Sequence, residues 1–398
     1  MNIVQPVGRS NWHLDALPPL SLYIHFPWCV RKCPYCDFNS HEAKTGFDEA
    51  GYIQALLTDL EHSLPLIWGR PVHTIFMGGG TPSLFSPEAM DTLLAGIRAR
   101  VKLLPDAEIT LEANPGTVEA DKFAGYRAAG INRLSIGIQS FNPAHLKAIG
   151  RIHDADEAKR AATLAGDTFD TFNLDLMFAL PGQTVEEALA DVETALSFAP
   201  THLSCYHLTL EPNTYFYRYP PALPDDDTAA EMQERIAKRL ADAGFTHYET
   251  SAYAKPGHAA EHNLNYWRFG DYLGIGAGAH GKLSFHDRII RQQKYKQPAA
   301  YLKAIAAGNA NQLDEPIAHS DLGFEFMLNA LRLAEGFEVT LFSERTGLPL
   351  NVIEMPLHEA ERLGLIERDF RRIAPSERGR RYQNQLLQLF LPHDGSEA

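Results

Sequence analysis

"YIHFPWCVRKCPYCDFNSH" runs from Tyr23 to His41 and joins a short apolar run to three cysteines, Cys29, Cys33 and Cys36, spaced Cys-x₃-Cys-x₂-Cys. "LYIHFP" has the aromatic and β-branched make-up of a strand, so the cysteines fall in the loop that follows it. The whole chain of 398 residues has only four cysteines. The fourth, Cys205, is far away in sequence. This is no disulfide framework. Crowded thiols beside a distant odd one suit a reducing compartment, where they indicate metal binding or catalysis.

Two metals fit three clustered thiols. A structural zinc ion takes four ligands. No second Cys-x₂-Cys pair exists, but His25 or His41 could complete the set. Iron–sulfur clusters normally take one thiolate per iron. Three thiolates on a four-iron cluster leave one iron open, and an open position is what a reactive site needs.

Working outward, short apolar runs alternate with helical patterns from residue 20 to about 210. Strands are expected at "LYIHFP", "HTIFMGG", "AEITLEANP", "INRLSIGIQS", "TFNLDLMFALPG" and "HLSCYHLTL", with amphipathic helices between them. Ser86-Pro87 reads as an N-cap and first helical residue, and Gly130 as a helix stop. Such alternation predicts parallel strands joined by helical crossovers. Six β-units fall short of the eight in a closed (β/α)₈ barrel. The expected organisation is an arm (1–20), a parallel-stranded unit (21–222), an α+β extension (223–314) and a small helical, winged-helix-like domain (315–398). "FTHYETSAYA" in the extension alternates like one strand.

Polar residues collect at the C-terminal ends of the strands, the rim where parallel barrels hold ligands. "MGGGTPS" (77–83) supplies three glycines that permit close backbone approach and leave N–H groups for an anion. "LEANPGT" (111–117) supplies Glu112, which could accept hydrogen bonds from an amine or ribose. Gln139, Arg151 and Asp175 follow near the ends of the fourth and fifth strands. Each alone reads as structural. Together with Cys29, Cys33, Cys36, Gly79 and Gly80 they form a ring on one face.

"CVRKCPYC" after a first strand resembles the CxxxCxxC motif of the radical S-adenosylmethionine superfamily, with an aromatic residue, Tyr35, before the last cysteine. The order "GGGTPS", "EANPGT", "SIGIQSF" and "D.M..LPGQT" is similar to the oxygen-independent coproporphyrinogen III oxidase group, including its haem-chaperone branch, over about residues 20–390. The resemblance implies a partial (β/α)₆ TIM-like barrel and a [4Fe–4S] cluster on Cys29, Cys33 and Cys36. Its open iron would hold the amino and carboxyl groups of S-adenosylmethionine. It further implies that Tyr23, Tyr35, Gly79, Gly80, Thr81, Glu112, Gln139, Arg151 and Asp175 contact that cofactor. Two departures weigh against the oxidase itself. Phe38 stands where the oxidase has a further cysteine, and only 28 residues precede Cys29.

"EHNLNYWRFGDYLGIGAGAHG" lies beyond the six units. His262, Asn263 and Tyr266 match the HNxxY pattern that the chaperone branch ties to haem. Imidazole is a good axial ligand, and Tyr266 and Trp267 could stack on a macrocycle. Read without the resemblance, His262 is as well explained by a turn cap or a pair with Glu261. "GIGAGAHG" (274–281) lacks a βαβ context and is read as a close-approach loop beside cofactor or macrocycle, not a dinucleotide site. Cys205, inside a strand, reads as a small buried hydrophobe.

Formal net charge is −14, and a nucleic-acid binder usually shows a basic face. "RDFRRIAPSERGRR" carries six arginines, yet the segment from Glu315 onward has nine Arg against fourteen Asp and Glu. It is read as a solvated charged face. No run is long enough to span a bilayer, and the N-terminus lacks a signal-peptide layout. The expectation is a cytoplasmic protein, with attachment to a membrane through a partner left open. It would bind haem as ligand or cargo, a haem-acceptor protein (a respiratory one among the candidates) and a one-electron reductant. Its expected function is that of a haem chaperone. The alternatives are oxidative decarboxylation of coproporphyrinogen III, another radical reaction on a tetrapyrrole, and a winged-helix regulator with a sensory cluster.

Overall fold

The structure, a computed structural model, describes residues 12–44, 46–117 and 120–392. Most of the expected arm (1–20) and the last residues of the C-terminal segment lie outside the described residues.

The six expected β-units are present. They are β1 (Leu20–Phe26), α1 (Glu49–Ser63), β2 (Pro71–Gly79), α2 (Pro87–Arg98), β3 (Lys102–Ala113), α3 (Ala120–Ala129), β4 (Arg133–Gln139), α4 (Ala155–Thr168), β5 (Thr171–Phe178), α5 (Val185–Ser197) and β6 (His202–His207). The strands pair in parallel in chain order. Local chemistry sets the ends. The Ser86 hydroxyl accepts the Ala89 N–H at the start of α2. Gly130, at φ 103°, stops α3 where a side chain would be strained. Thr184 and Glu187 form a reciprocal capping box on α5. One face of each helix and the outward residues of the strands share a core that includes Ile75, Leu93, Leu134, Leu174 and Val192.

The chain after residue 222 extends the same sheet at both edges. It runs α6 (Asp226–Asp242), β7 (Thr246–Glu249), β8 (Ala252–Ala254), α7 (Glu261–Trp267), β9 (Asp271–Ile275), β10 (His280–Ser284), β11 (Ile289–Lys294), α8 (Pro298–Ala306) and β12 (Asn311–Pro316). The twelve-stranded order is β12-β11-β10-β9-β1-β2-β3-β4-β5-β6-β8-β7. Two readings of the sequence change here. "FTHYETSAYA" is a hairpin, β7 and β8, rather than one strand. "DYLGI", which opens into the Gly-rich run, is a seventh parallel strand: β9 pairs with β1, Tyr23 opposite Gly274.

A buried ionic cluster locks this added edge to the barrel. Asp59 on α1 bonds Lys294 Nζ at 2.7 Å, the Tyr301 hydroxyl at 2.8 Å and the Gly276 N–H at 3.1 Å. Removing one partner of a buried pair strands the other charge. Asp59→Ala is therefore expected to cost about 3–5 kcal/mol, read as a fall in the urea midpoint at unchanged slope. A loss below about 1 kcal/mol would show that the cluster does not hold the edge.

The C-terminal region has α9 (Leu322–Ala330), β13 (Phe337–Glu338), α10 (Val339–Thr346), α11 (Glu354–Arg362), β14 (Ile366–Arg368) and β15 (Arg372–Pro375). Its three-stranded sheet, ordered β13-β15-β14, and its helices enclose a second core around Phe326, Phe342 and Leu357. Within the arginine-rich stretch, Arg368 pairs with Glu354 and Glu361 at 2.9 Å, Arg372 with Glu335 at 3.3 Å, and Arg381 with Glu234. Among the described residues no helix is long and apolar enough to cross a membrane.

Candidate functional site

The cysteine loop leaves β1 at Pro27 and is pinned at several points. Trp28 stacks on Phe47 at 4.7 Å and meets Tyr52 edge-on. The Phe216 N–H donates to Pro34 O. Asn39 donates to Ala277 O and Lys296 O, and its own carbonyl meets His25 Nε2 at 2.8 Å. The added β9–β11 edge therefore positions the loop.

The glycine loop does not do what its sequence suggested. The Gly79 N–H donates to Glu112 at 3.0 Å. The N–H groups of Gly80 and Thr81 donate at 2.7 Å to the carbonyls of Phe26 and Trp28. These amides are not free for an anion. The glycines are needed because a Cβ on Gly79, at φ 109°, would lie 2.4 Å from the His25 ring, and one on Gly80 would lie 2.4 Å from Trp28 O. Their function is to let the β2 loop close onto the cysteine loop.

Gln139 sits at φ 67° beside a β4 bulge at Gly137, a strained placement typical of ligand-facing positions. Arg151 donates to Asn114 Oδ1, to Gly137 O at 2.7 Å and to Cys33 Sγ at 3.6 Å. Asn114 in turn holds the Thr81 hydroxyl. Below them, Asp175 accepts from Ser135 and Asn173, and Asn173 reaches His202 and Ser204. Sequence reasoning missed Asn114, Ser135, Asn173 and His202. Their signal was polar residues at alternate positions of otherwise apolar strands.

Burial, together with the Asp175 charge and against the Gly79 N–H, pushes the Glu112 carboxyl up to about 7. Burial also raises Asp175, and its hydrogen bonds from Asn173 and Ser135 oppose the rise. Two carboxyls thus share a cavity that favours a cationic ligand. Burial raises the Cys29 and Cys36 thiols, so a metal must displace their protons to bind.

Eleven sequence-selected residues meet in one cleft of about 150 Å³: Cys29, Cys33, Cys36, Tyr35, Gly79, Gly80, Thr81, Glu112, Gln139, Arg151 and Asp175. A second cavity of about 300 Å³ adjoins it, sharing Tyr35, Cys36, Glu112, Gln139 and Asp175, and includes Asn263. Tyr23 and Tyr266 line neither. They face a third cavity, of about 800 Å³, on the other side of the loop around Phe38. Phe38 is 60% exposed and borders all three.

The structure places His262 in the interior. Its side chain is fully buried, with Nδ1 2.8 Å from Thr74 Oγ1 and Nε2 2.9 Å from the Tyr266 hydroxyl. Burial, then Arg133, holds its pKa down at about 3. Both ring nitrogens are engaged, and His262 and Tyr266 of the HNxxY pattern are joined by a hydrogen bond one helical turn long. Nor does His25 offer a fourth metal ligand: its ring nitrogens engage the Tyr23 hydroxyl and Asn39 O. Cys205 is buried in β6, and burial pushes its thiol up to about 12, as suits a small hydrophobe.

Among the described residues no three His, Cys, Asp or Glu side chains close on a single-ion position. Three thiols spread around one cleft fit a larger multi-iron group with one position left open.

Comparisons with known proteins agree with this arrangement. The Radical SAM superfamily model matches residues 23–195 and the HemN C-terminal domain model matches residues 317–382. The chain is 52% identical to the "Heme chaperone HemW" of Escherichia coli (strain K12), over 94% of this chain and 99% of that one. It is 49% identical to that of Haemophilus influenzae, over 96% and 100%. Among solved structures, coproporphyrinogen III oxidase (HemN) from Escherichia coli superposes with a TM-score of 0.80 at 23% identity, over 94% of this chain and 90% of that one. That likeness is one of fold.

Proposed function

The chain belongs to the haem chaperone HemW family within the radical SAM superfamily, and from that premise we propose that it binds haem and delivers it to an acceptor protein. The observation that carries the reading is the near-full-length match to haem chaperones at about half identity. The superfamily implies a [4Fe–4S] cluster and S-adenosylmethionine.

The residues present fit both. Cys29, Cys33 and Cys36 would hold the cluster, which supplies one-electron chemistry and an open coordination position. Arg151 lies against the Cys33 sulfur and adds a charge-assisted N–H contact to that thiolate. Glu112 and Asp175 give the cleft a negative wall suited to the amino group and sulfonium of S-adenosylmethionine. Tyr35, Gln139 and Thr81 supply the remaining polar contacts.

The test is a haem titration of anaerobically reconstituted protein, followed by incubation with an apo-haem protein. The expected result is a shifted Soret band that then decays as the acceptor's own spectrum grows. Absence of haem binding, with protoporphyrinogen formed from coproporphyrinogen III under reducing conditions, would replace the chaperone by a decarboxylase.

A further inference from the structure

Beyond haem delivery, we propose that the cavity of about 300 Å³ beside the cysteine cleft binds a small amino acid with its two charges at opposite ends of a carbon chain, the carboxylate held by the Arg133 guanidinium. The volume lies at the lower end of the roughly 300–1,000 Å³ found for small-molecule sites.

Arg133 opens β4 and lines this cavity with 3% of its surface exposed. It is the only Lys or Arg among the cavity's described lining residues. Among the described residues its guanidinium makes no hydrogen bond. Nε is buried without a partner, and Glu108, its one ion-pair partner, stands 3.9 Å away, beyond hydrogen-bond range. Other buried arginines are better served. Arg70 donates to Pro18 O and pairs with Asp271 at 2.8 Å, and Arg151 donates to Asn114 and Gly137. A buried guanidinium without hydrogen bonds is costly, and a carboxylate matches its planar fork with two parallel bonds. The histidines of the cavity do not compete for that role: His202 has both ring nitrogens engaged, and His207 stacks on Phe178.

The opposite end of the cavity is acidic. Arg133 lies level with Thr110 of β3 and Thr171 of β5, whereas Glu112 pairs with Ser135 and Asp175 with Gly137. At about 3.3 Å per residue, those two carboxylic residues sit roughly 7 and 13 Å further toward the strands' C-terminal ends. Asp37 on the cysteine loop and Glu211 beyond the end of β6 line the same space. An acid without a cationic group would meet four carboxyls. An α-amino acid carries both charges on one carbon and does not reach from one end to the other. Glu112 and Asp175 are shared with the cofactor cleft, which leaves Asp37 and Glu211 for the ammonium group of the ligand. The Thr209 hydroxyl donates to Glu211 at 2.8 Å and steadies it. Phe76, Met177 and Leu208 supply apolar wall for the carbon chain.

The test is isothermal titration calorimetry of the anaerobically reconstituted full-length protein, saturated with S-adenosylmethionine so that the cofactor's own contacts are filled. The probes are ε-aminocaproate, caproate and hexylamine. ε-Aminocaproate is expected to bind about tenfold or more tightly than either singly charged analogue. Arg133→Gln, with folding checked by circular dichroism, should weaken it by a similar factor. Glu211 is partly exposed, so Glu211→Gln keeps the test open if the buried variant does not fold. It should weaken ε-aminocaproate and leave caproate no weaker, a selectivity that a merely structural role would not produce. No heat from any probe, or equal affinity in wild type and Arg133→Gln, would overturn the site and leave Arg133 to buried water. Neither result touches haem delivery, which rests on the family match.

Discussion

Cys33→Ala, reconstituted anaerobically with iron and sulfide, is expected to lose the broad visible absorbance of the cluster and most of its iron, yet remain folded. Cys33 is only partly buried and belongs to no apolar cluster. The loop around it is held by Trp28, Asn39 and Pro34, none of which the substitution touches. Arg151 loses one contact but keeps Asn114 and Gly137. The stability change should stay within about 1 kcal/mol, as for substitutions that open no cavity and strand no charge. Ligation is another matter. With two thiolates left, two irons lack protein ligands, one more than the open position the site requires. Full retention of colour and iron would mean that these cysteines do not bind a cluster.

Glu112→Gln is expected to trade cofactor affinity for stability, with opposite signs above neutrality. The carboxyl is raised from 4.5 to about 7 in the fold. A raised acid contributes full stability below its unfolded value and loses it as pH climbs through the folded one. Stability of the wild type should therefore fall between about pH 4.5 and pH 7. The shift corresponds to on the order of 2 kcal/mol once solvent access through the cleft is allowed for. Glutamine keeps an oxygen for the Gly79 N–H and carries no charge. The variant should match the wild type near pH 4 and exceed it near pH 8 in urea denaturation. At pH 8 it should bind S-adenosylmethionine about tenfold or more weakly, having lost a charge-assisted contact to its ammonium group. Parallel stability curves across that range would refute the assignment of Glu112 as a buried, strained carboxylate.

Much of the barrel was legible because its signals are local. The apolar runs, the Ser86 and Thr184 caps and the Gly130 stop need only a few residues each. The rim residues were legible for a related reason: parallel strands put all their C-terminal ends on one side, so Cys29, Glu112, Gln139 and Asp175 had to meet once the topology was known. What stayed hidden depended on pairings between distant segments. "DYLGIGAG" reads as a glycine-rich loop until β1 is placed beside it, and then it is a strand. Gly276 takes φ 100° because His25 O lies where its Cβ would be. His262 looked available because its consumers, Thr74 and Tyr266, come from β2 and from its own helix's next turn. No pattern within the HNxxY stretch reports a hydroxyl arriving from another strand.

The pairing of β1 with β9 also fixes an order of events during synthesis. Among the described residues β1 is the earliest strand of the sheet, and Leu20 must wait for Asp271 before its outer edge is covered. Contacts of such long range form late and slowly. Until then an apolar strand with an open edge invites pairing with other nascent chains, and chains stopped before Asp271 should aggregate rather than yield a free-standing barrel. The cysteine loop inherits the same delay, because Asn39 has no docking carbonyls until Ala277 and Lys296 have been made. Iron–sulfur assembly on the docked loop is therefore expected only after Lys296 has been made, too late to serve as the template on which the six β-units fold.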